Sequence, residues 1–411
     1  MDRPNVLVFI DWYLPGYKAG GPVRSVANMV DHLRDRIDFH IVTRNTEYTE
    51  STPYPGIEPD RWTTLPGGEH VWYASEAGTS RKAWKRILNE RKWDAVYING
   101  LYSWWYNILP LWLSQGLKLR RVVAVRGMLA SGAMQHGALK KLLFLSFARM
   151  VDLYKGVHFQ ATNEDEAKEI RMHVLKNAEV AVVPNLSRRA AVLRTPIPKK
   201  EGAVSLVSVA RIAMEKNTLL AIESLRDVKS NVQFDLYGPV YDEAYWAKCR
   251  EAIASLPAQV KVEWKGTAPP DEVPGILKAH HALYMPSAGE NFGHTMLEAL
   301  SAGRPLLISD RTPWRGLEQD HAGWDLSLDR PERFTEAVEQ LSAMDRTEYD
   351  RWSQGAFERG TRYLADVTPI EASMKLLVAE DERNGWTGTV VRCPRSPSTI
   401  FPSEGVMIMF A

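Results

Sequence analysis

The feature that most constrains the fold is a repeated alternation of short apolar runs with segments of helical spacing. It begins at Asn5–Ile10, where a glycine-bearing loop leads into the helical spacing of Pro22–Leu33, and it ends at Val180–Val183. After the proline-rich and basic stretch Pro184–Gly202, the alternation restarts at Val204–Val209. Alternating strands and helices predict parallel sheets covered by helices. Two such halves predict an α/β protein with two Rossmann-like domains whose parallel sheets face a cleft.

Charge and cysteine content exclude several classes of protein. The 411 residues contain 51 Lys and Arg against 50 Asp and Glu, so bulk electrostatic binding to nucleic acid is not expected. Cys249 and Cys393 cannot form a disulfide framework and have no metal-ligand spacing, which indicates a reducing compartment. We therefore expect a cytoplasmic protein with no nucleic-acid partner.

Three stretches need an interpretation of their own. Val6–Ile10 is too short for the apolar region of a signal peptide and predicts a buried strand. Residues 44–69 are rich in Pro, Gly and Thr and predict a long loop. Ala95–Gly116 carries no charge, but Asn99 and Pro110 interrupt it. A strand, a turn and an aromatic-rich helix fit this segment better than a helix that spans a membrane.

Pro286–Trp314 contains the strongest functional pattern. A strand is followed by a glycine-containing loop, and helical spacing begins near His294. The unpaired amides and the positive dipole end of such a helix favour a diphosphate. Two carboxylates flank this position, and we expect Glu290 to bind the hydroxyls of a sugar and Glu298 those of a ribose.

A second pattern, Ser208–Asn217, follows the first strand of the second half. Arg211 offers a fork for phosphate oxygens and Lys216 a point charge, so the two together suit a leaving diphosphate. The alternative is an exposed pair of solvated cations.

Two further loops at strand ends lie in the first half. Gly20 and Gly21 permit a tight turn, which either faces a phosphate with its amides or is a plain turn. Arg126 follows another strand, and His136 either serves an acceptor or is incidental. No dinucleotide-binding or P-loop pattern is present in the sequence. The run 163–166, Asn-Glu-Asp-Glu, predicts a capped helix start rather than a metal site, and we expect no bound metal.

Together these blocks resemble the group 1 (family 4) glycosyltransferases of the GT-B type, in order, over nearly all of residues 5–382. In that family a Glu-x7-Glu element binds the nucleotide sugar, and it matches Glu290 and Glu298. An Arg and a Lys that bind the diphosphate match Arg211 and Lys216. The remaining donor contacts that the resemblance implies are Gly20, Gly21, Asn291, Phe292, Gly293, His294 and Thr295.

The chain departs from the family pattern at three places. Many relatives carry His where this chain has Arg126, which puts a histidine-based acceptor role in doubt. Residues 184–187 read Pro-Asn-Leu-Ser instead of the commoner Pro-Asn-Gly, and Asn217 stands where Gly is frequent. The candidates for the acceptor side are Arg24, Arg126 and His136.

The resemblance implies a retaining, metal-independent and cofactor-free transfer from a UDP-, GDP- or ADP-sugar to a saccharide or lipid-linked saccharide. The variants of its motifs look most like bacterial enzymes that build lipopolysaccharide, capsule or exopolysaccharide. The implied organisation is an acceptor-side domain over residues 1–190 and a donor-binding domain over residues 200–365. A last helix, about 366–382, is implied to pack back on the first domain, and we interpret residues 384–411 as a poorly ordered tail.

Two other functions are compatible with the same residues. One is a non-catalytic scaffold that binds nucleotide sugars, and the other is a nucleotide-sugar epimerase on the same fold. A separate question concerns Leu139–Met150, which mixes basic and apolar residues. It is either an ordinary amphipathic helix packed on the sheet or a peripheral contact with the inner face of the plasma membrane.

Overall fold

The computed structural model describes residues 3–130, 138–189 and 193–378, which contain two β-sheets. The strands of the first sheet are β1 (Asn5–Phe9), β2 (Asp38–Arg44), β3 (Trp62–Thr64), β4 (His70–Ala74), β5 (Ala95–Asn99), β6 (Arg120–Ala124), β7 (His158–Ala161) and β8 (Glu179–Val182). Their order is β3-β4-β2-β1-β5-β6-β7-β8. All neighbouring strands are parallel except β3 and β4.

The second sheet is parallel throughout its described strands. These are β9 (Ala203–Val209), β10 (Asn231–Tyr237), β11 (Val260–Trp264), β12 (Ala282–Met285), β13 (Leu306–Ser309) and β14 (Gly323–Leu326). Their order is β11-β10-β9-β12-β13-β14. The direction of winding therefore reverses between β9 and β12, and in the first sheet it reverses between β1 and β5.

Helices connect the strands and cover both faces of each sheet. Those of the first half are α1 (Gly21–Leu33), α2 (Arg81–Asn89), α3 (Leu109–Leu113), α4 (Ala138–Met150) and α5 (Glu164–His173). Those that follow are α6 (Thr218–Glu223), α7 (Glu243–Ala254), α8 (Val273–Lys278), α9 (His294–Ser301), α10 (Glu332–Ala343), α11 (Arg346–Leu364) and α12 (Thr368–Leu377). A π-helical turn at Trp104–Ile108 and a 3-10 turn at Met214–Lys216 complete the described elements.

Both faces of each sheet lie in an apolar core. In β1, Val6 and Val8 pack into the core on one face, while Leu7 and Phe9 pack into the core on the other, and all four are fully buried. Successive side chains of a strand point to opposite faces, so a strand covered on both sides must be apolar at every position. The predicted α/β architecture with two parallel sheets is confirmed.

The charge-free segment after β4 and α2 folds as the sequence predicts. It forms β5, the π-helical turn Trp104–Ile108 and the short helix α3. Within the described residues, none of the helices combines the length and the apolarity that crossing a bilayer requires.

Two edge strands were not expected from the sequence. Residues 44–69 were predicted as loop, but Trp62–Thr64 pairs antiparallel with β4 as strand β3. Gly323–Leu326 forms β14, the parallel edge of the second sheet. Both strands are short, and each depends on one neighbouring strand, so the local pattern carries little signal for them.

Helix α12 packs against the first sheet although it follows the whole second sheet in the chain. Its Leu376 and Leu377 lie in the core that contains Val6. An ion pair of 2.8 Å joins Glu371 of α12 to Arg36 just after α1. Residues 384–411, interpreted from the sequence as a tail, lie outside the described part of the chain.

Candidate functional site

The site predicted from the sequence lies where the winding of the second sheet reverses. Neighbouring strands β9 and β12 are hydrogen-bonded, and the predicted charged residues lie in the loops that follow them and in the start of α9. Arg211 and Lys216 follow β9, whereas Glu290 and Glu298 follow β12. In open parallel sheets such a reversal leaves a crevice at the carboxyl ends of the strands, where ligands bind.

Lys216 and Glu290 form an ion pair across this crevice. Lys216 Nζ lies 2.5 Å from Glu290 Oε1, and Ser287 Oγ donates to the same oxygen at 3.0 Å. Both side chains are mostly buried, with 18% and 13% of their surfaces exposed. Arg211 is more exposed and pairs with Glu215 at 3.0 Å. The structure thus brings the cation predicted to bind phosphate and the carboxylate predicted to bind hydroxyls into direct contact.

Asn217 has an unusual backbone conformation in the loop after β9. Its φ is +51°, in the left-handed region that Asn tolerates better than most residues other than glycine. Its side-chain amide donates to Pro286 O at 2.9 Å. Asn217 therefore adopts the left-handed conformation that glycine adopts most easily, and it also joins the β9 loop to the β12 loop.

Helix α9 begins at a glycine that the backbone requires. Gly293 has a φ of +76°, and a Cβ there would lie 2.7 Å from Met296 Sδ. The first helical hydrogen bond runs from Leu297 N to Gly293 O at 3.1 Å. The amides of residues 294–296 therefore have no acceptor within the helix, and an anion at this helix start would be favoured.

Phe292 and Thr295 hold the start of α9 in place with their side chains. Phe292 is buried against Tyr363, and its carbonyl accepts a hydrogen bond of 2.8 Å from Trp314 Nε1. Thr295 is buried and its hydroxyl donates to Val209 O at 3.4 Å. Both side chains are therefore engaged in contacts within the second half of the chain.

Helix α1 of the first half lies opposite α9 of the second. Glu298 lies 3.5 Å from Arg24 Nη1, and Ser25 Oγ lies 3.0 Å from His294 Nε2. Burial raises the pKa of Glu298, while the charges of Arg24 and Arg188 oppose the rise. The predicted ribose-binding carboxylate is therefore matched with a cation from the other half of the chain.

His294 is held in its neutral form. Burial is the main cause that lowers its pKa to about 3, and the charges of Arg24 and Arg126 lower it further. A neutral imidazole contributes hydrogen bonds to this part of the cleft without adding positive charge.

Open space surrounds the two glycines before α1. Gly20, with a φ of +78°, precedes the first helical residue, and a Cβ at Gly20 or Gly21 would meet no atom within 4 Å. The predicted phosphate-facing turn therefore has room for a ligand group beside the start of α1.

Arg126 lies at the carboxyl end of β6 and turns back over the sheet. Its φ is +58°, and its guanidinium donates to Asn99 Oδ1 at 2.8 Å, to Tyr97 OH at 2.6 Å and to Asn185 Oδ1. The variant segment Pro-Asn-Leu-Ser thus supplies one of its acceptors. A third acceptor-side candidate, His136, lies outside the described residues.

Sequence reasoning missed the role of Glu166. The predicted cap is confirmed, since Asn163 Oδ1 accepts from Glu166 N at 2.9 Å. The Glu166 carboxylate is itself buried, and Oε1 accepts from Gly127 N at 2.6 Å and from Asn291 Nδ2 at 2.9 Å. Thr162 donates to Oε2 with its amide and its hydroxyl. A capped helix start looks the same in sequence whether or not its glutamate binds a distant loop.

One group among the described residues could in principle hold a metal ion. Ligand atoms of Asp38, His40 and His70 lie within 4.8 Å of one another. Arg91 Nη1, however, donates to His40 Nε2 at 2.7 Å, and the rings of the two histidines are tilted by 32° with centroids 4.6 Å apart. The group lies at the amino ends of β2 and β4, away from the loops described above.

Comparison with known proteins agrees with this arrangement. The profile described as "Glycosyl transferase 4-like domain" matches residues 20–186, and that of "Glycosyl transferases group 1" matches residues 191–359. A 2-deoxystreptamine glucosyltransferase of Streptomyces kanamyceticus is 29% identical over 107 residues, which are 26% of this chain and 28% of the relative. The match thus spans little more than a quarter of that relative's length.

Solved structures are similar over nearly the whole chain. Sucrose-phosphate synthase from Thermosynechococcus elongatus gives a TM-score of 0.68 at 15% identity, over 92% of this chain and 98% of that one. The Anabaena HepE protein, solved in complex with UDP and glucose, gives 0.69 at 12% identity, over 91% and 99%. These likenesses show the fold, and the two profiles together match most of the sequence. The chain belongs to the group 1 glycosyltransferases and has the GT-B fold.

Proposed function

We propose that the protein transfers a hexose from a nucleotide sugar to a saccharide or lipid-linked saccharide, with retention of anomeric configuration and without a metal ion or other cofactor. Residues 1–190 form the acceptor side and residues 200–365 the donor side in this proposal. The product belongs to a bacterial surface polysaccharide, as the sequence motifs suggest. The observation that carries the proposal is the contact between Lys216 and Glu290 at the reversal of the second sheet.

Donor binding would replace this contact by two new ones. Lys216 and Arg211 would turn to the diphosphate, the amides at the start of α9 would face its oxygens, and Glu290 would accept from sugar hydroxyls. Glu298, already turned toward Arg24, would accept from the ribose. Once the donor is bound, these groups already face the diphosphate and the sugar, so little further reorganisation is needed when charge develops on the leaving group.

The proposed reaction exchanges one bond at the anomeric carbon for another. The bond from this carbon to the diphosphate oxygen breaks, and its electron pair leaves with the diphosphate. The acceptor hydroxyl oxygen bonds to the same carbon on the same face, and its proton passes to the departing diphosphate. Lys216 and Arg211 would stabilise the negative charge that builds up on that group.

A thermal-shift panel with UDP, GDP, ADP and their sugar conjugates tests donor binding. One nucleotide should raise the unfolding temperature of the wild type and of the control Glu251→Ala, which changes an exposed glutamate of α7. At about 100 times its Kd a ligand adds about 2.7 kcal/mol of stability. The shift should be lost in Glu298→Ala. A wild type that no nucleotide stabilises would refute the proposal.

Product analysis separates transfer from the other two functions. With an acceptor present, transfer releases a nucleoside diphosphate and forms a new glycoside. A scaffold would bind the conjugate without turnover, and an epimerase would convert it with no acceptor. Transfer by wild type that persists undiminished in Glu290→Ala would contradict the role of Glu290.

Helix α4 supports a further proposal, that the protein contacts an anionic membrane surface. Leu139, Leu143, Phe147 and Met150 lie on its outer face with 57% to 74% of their surfaces exposed. Residues 138–151 contain three basic side chains and no acidic one. An apolar face with cations at its edges suits the interface of an anionic bilayer, where a lipid-linked acceptor would be reached.

A further inference from the structure

Arg126 is a partly buried cation whose hydrogen-bond partners among the described residues are neutral. They are the amide oxygens of Asn99 and Asn185 and the phenol of Tyr97. These bonds fix the guanidinium in one orientation but bring no opposite charge to it. Removing a charge from water is costly unless an opposite charge lies close by.

Three other cations of the cleft differ from Arg126, because each pairs with a carboxylate. Arg24 pairs with a carboxylate at 3.5 Å, Lys216 at 2.5 Å and Arg211 at 3.0 Å. No carboxylate oxygen in residues 3–130, 138–189 and 193–378 lies within 4.0 Å of the guanidinium nitrogens of Arg126. The neighbouring carboxylate, Glu166, already accepts four hydrogen bonds from other groups.

Arg126 lies close to the loop that carries Glu290, so its charge is placed to act on the sugar rather than on the leaving diphosphate. The next residue, Gly127, approaches Asn291 so closely that a Cβ would lie 2.8 Å from its side-chain nitrogen. Asn291 directly follows Glu290, the residue proposed to bind sugar hydroxyls. The charge of Arg126 also acts on His294, at the start of α9. Arg211 and Lys216 already provide the cations for a diphosphate.

We propose that Arg126 binds an oxyanion, a carboxylate or a phosphate, on a substrate sugar, so that the enzyme acts on an acidic sugar rather than on a neutral hexose. This inference rests on the proposed function and specifies its substrate class. A fixed guanidinium suits a carboxylate or phosphate because it donates two parallel hydrogen bonds to it. The source of the oxyanion is either the donor, as a hexuronic acid, or the acceptor sugar.

Calorimetric titration of the full chain distinguishes the two sources. In the donor arm, the hexuronate and hexose conjugates of the nucleotide found in the thermal-shift panel are compared, for example UDP-glucuronic acid with UDP-glucose. In the acceptor arm, protein saturated with the nucleoside diphosphate is titrated with methyl glucuronide, glucose 6-phosphate or methyl glucoside. We expect wild type to prefer the acidic ligand by about tenfold or more in one arm, because a charged hydrogen-bonded pair is gained.

Variants test whether Arg126 is the origin of that preference. Arg126→Gln should abolish it and leave the affinity for the free nucleoside diphosphate unchanged, whereas Arg126→Lys should keep part of it. The control Arg250→Gln, on the exposed side of α7, should behave as wild type. The inference is overturned if wild type shows no acid preference in either arm. It is also overturned if Arg126→Gln lowers the affinity for the free nucleoside diphosphate as much as the affinity for the sugar conjugate. Arg126 would then bind the diphosphate.

Failure of this inference is distinguishable from failure of the proposed function. If the free nucleotide binds in a Glu298-dependent manner but neutral and acidic sugars bind equally, the proposed function stands and the role of Arg126 falls. If no nucleotide binds, the proposed function itself falls. The comparison of acidic with neutral ligands in wild type tests the preference for an acidic sugar even if Arg126→Gln does not fold.

Discussion

Glu166 accepts a hydrogen bond of 2.9 Å from Asn291, and this bond joins the first half of the chain to the loop before α9. The same oxygen accepts from Gly127 N at 2.6 Å. Asn163 adds a parallel contact, with its amide 3.4 Å from Asn291 O. One buried carboxylate therefore sets the relative position of the Arg126 turn and the loop that carries Glu290.

Replacing Glu166 should destabilise the protein. Glu166→Ala leaves buried donors of Gly127 and Thr162 without an acceptor, and we expect a loss of about 2–4 kcal/mol in the free energy of unfolding. Urea denaturation measures the difference. Glu164→Ala, an exposed position in the first turn of the same helix, is the control and should change stability little. Equal stabilities of the two variants would show that the Glu166 contacts are not formed in solution.

Lys216 and Glu290 should have separable effects on ligand affinity. Lys216→Met removes the cation proposed to bind the diphosphate and leaves Glu290 without its ion-pair partner, so affinity for the nucleoside diphosphate should fall by about tenfold or more. Glu290→Gln keeps the cation, so the free diphosphate should bind at least as well as to wild type. The gain in affinity from the attached sugar should, however, be smaller. Calorimetric titrations with free and conjugated nucleotide measure both effects, and identical profiles for the two variants would contradict the assignment.

His294 should make the protein less stable in acid. Its folded pKa of about 3 lies below the value of about 6.5 for an unfolded chain, so above pH 6.5 both states are neutral. As the pH falls below about 6.5, the unfolded state takes up a proton that the folded state does not. When the pH is lowered from 7.5 to 5, the free energy of unfolding of wild type should therefore fall by about 2 kcal/mol more than that of His294→Asn.

Urea titrations at the two pH values measure this difference. His173→Asn, at the partly exposed end of α5, is the control and should keep the wild-type pH dependence. If His294→Asn loses as much stability in acid as wild type, the imidazole is not buried in its neutral form.

Helix α4 should bind vesicles that contain anionic lipid. Wild type should cosediment with phosphatidylglycerol-containing vesicles and less with pure phosphatidylcholine. Leu143→Ser with Phe147→Ser should abolish binding, because it removes exposed apolar area from the helix. The double control Leu193→Ser with Val367→Ser changes apolar side chains of similar exposure elsewhere and should bind as wild type. Concentration-dependent dimerisation lost in the α4 variant, without vesicle binding, would identify the surface as a contact between copies instead.

Much of the fold could be predicted because its signals are local. The buried residues of a strand such as β1 are apolar. A helix start capped by Asn163 can be recognised from the few residues that follow the cap. Strand β3 could not be predicted, because three residues at a sheet edge acquire their structure from β4. The short edge strand β14 likewise lacks a pattern of its own.

The candidate site divides in the same way. The alternation of strands and helices can be read from local patterns, and it places Arg211, Lys216 and Glu290 in loops after strands and Glu298 in the helix that follows. The contact of Lys216 with Glu290 and that of Glu166 with Asn291 are visible only in the folded chain. The same holds for the finding that Arg126 has no carboxylate partner among the described residues. These contacts join residues 74 and 125 positions apart, and strand and helix periodicities extend over only a few residues. Which charges of the candidate site are paired is therefore set by the packing of distant segments.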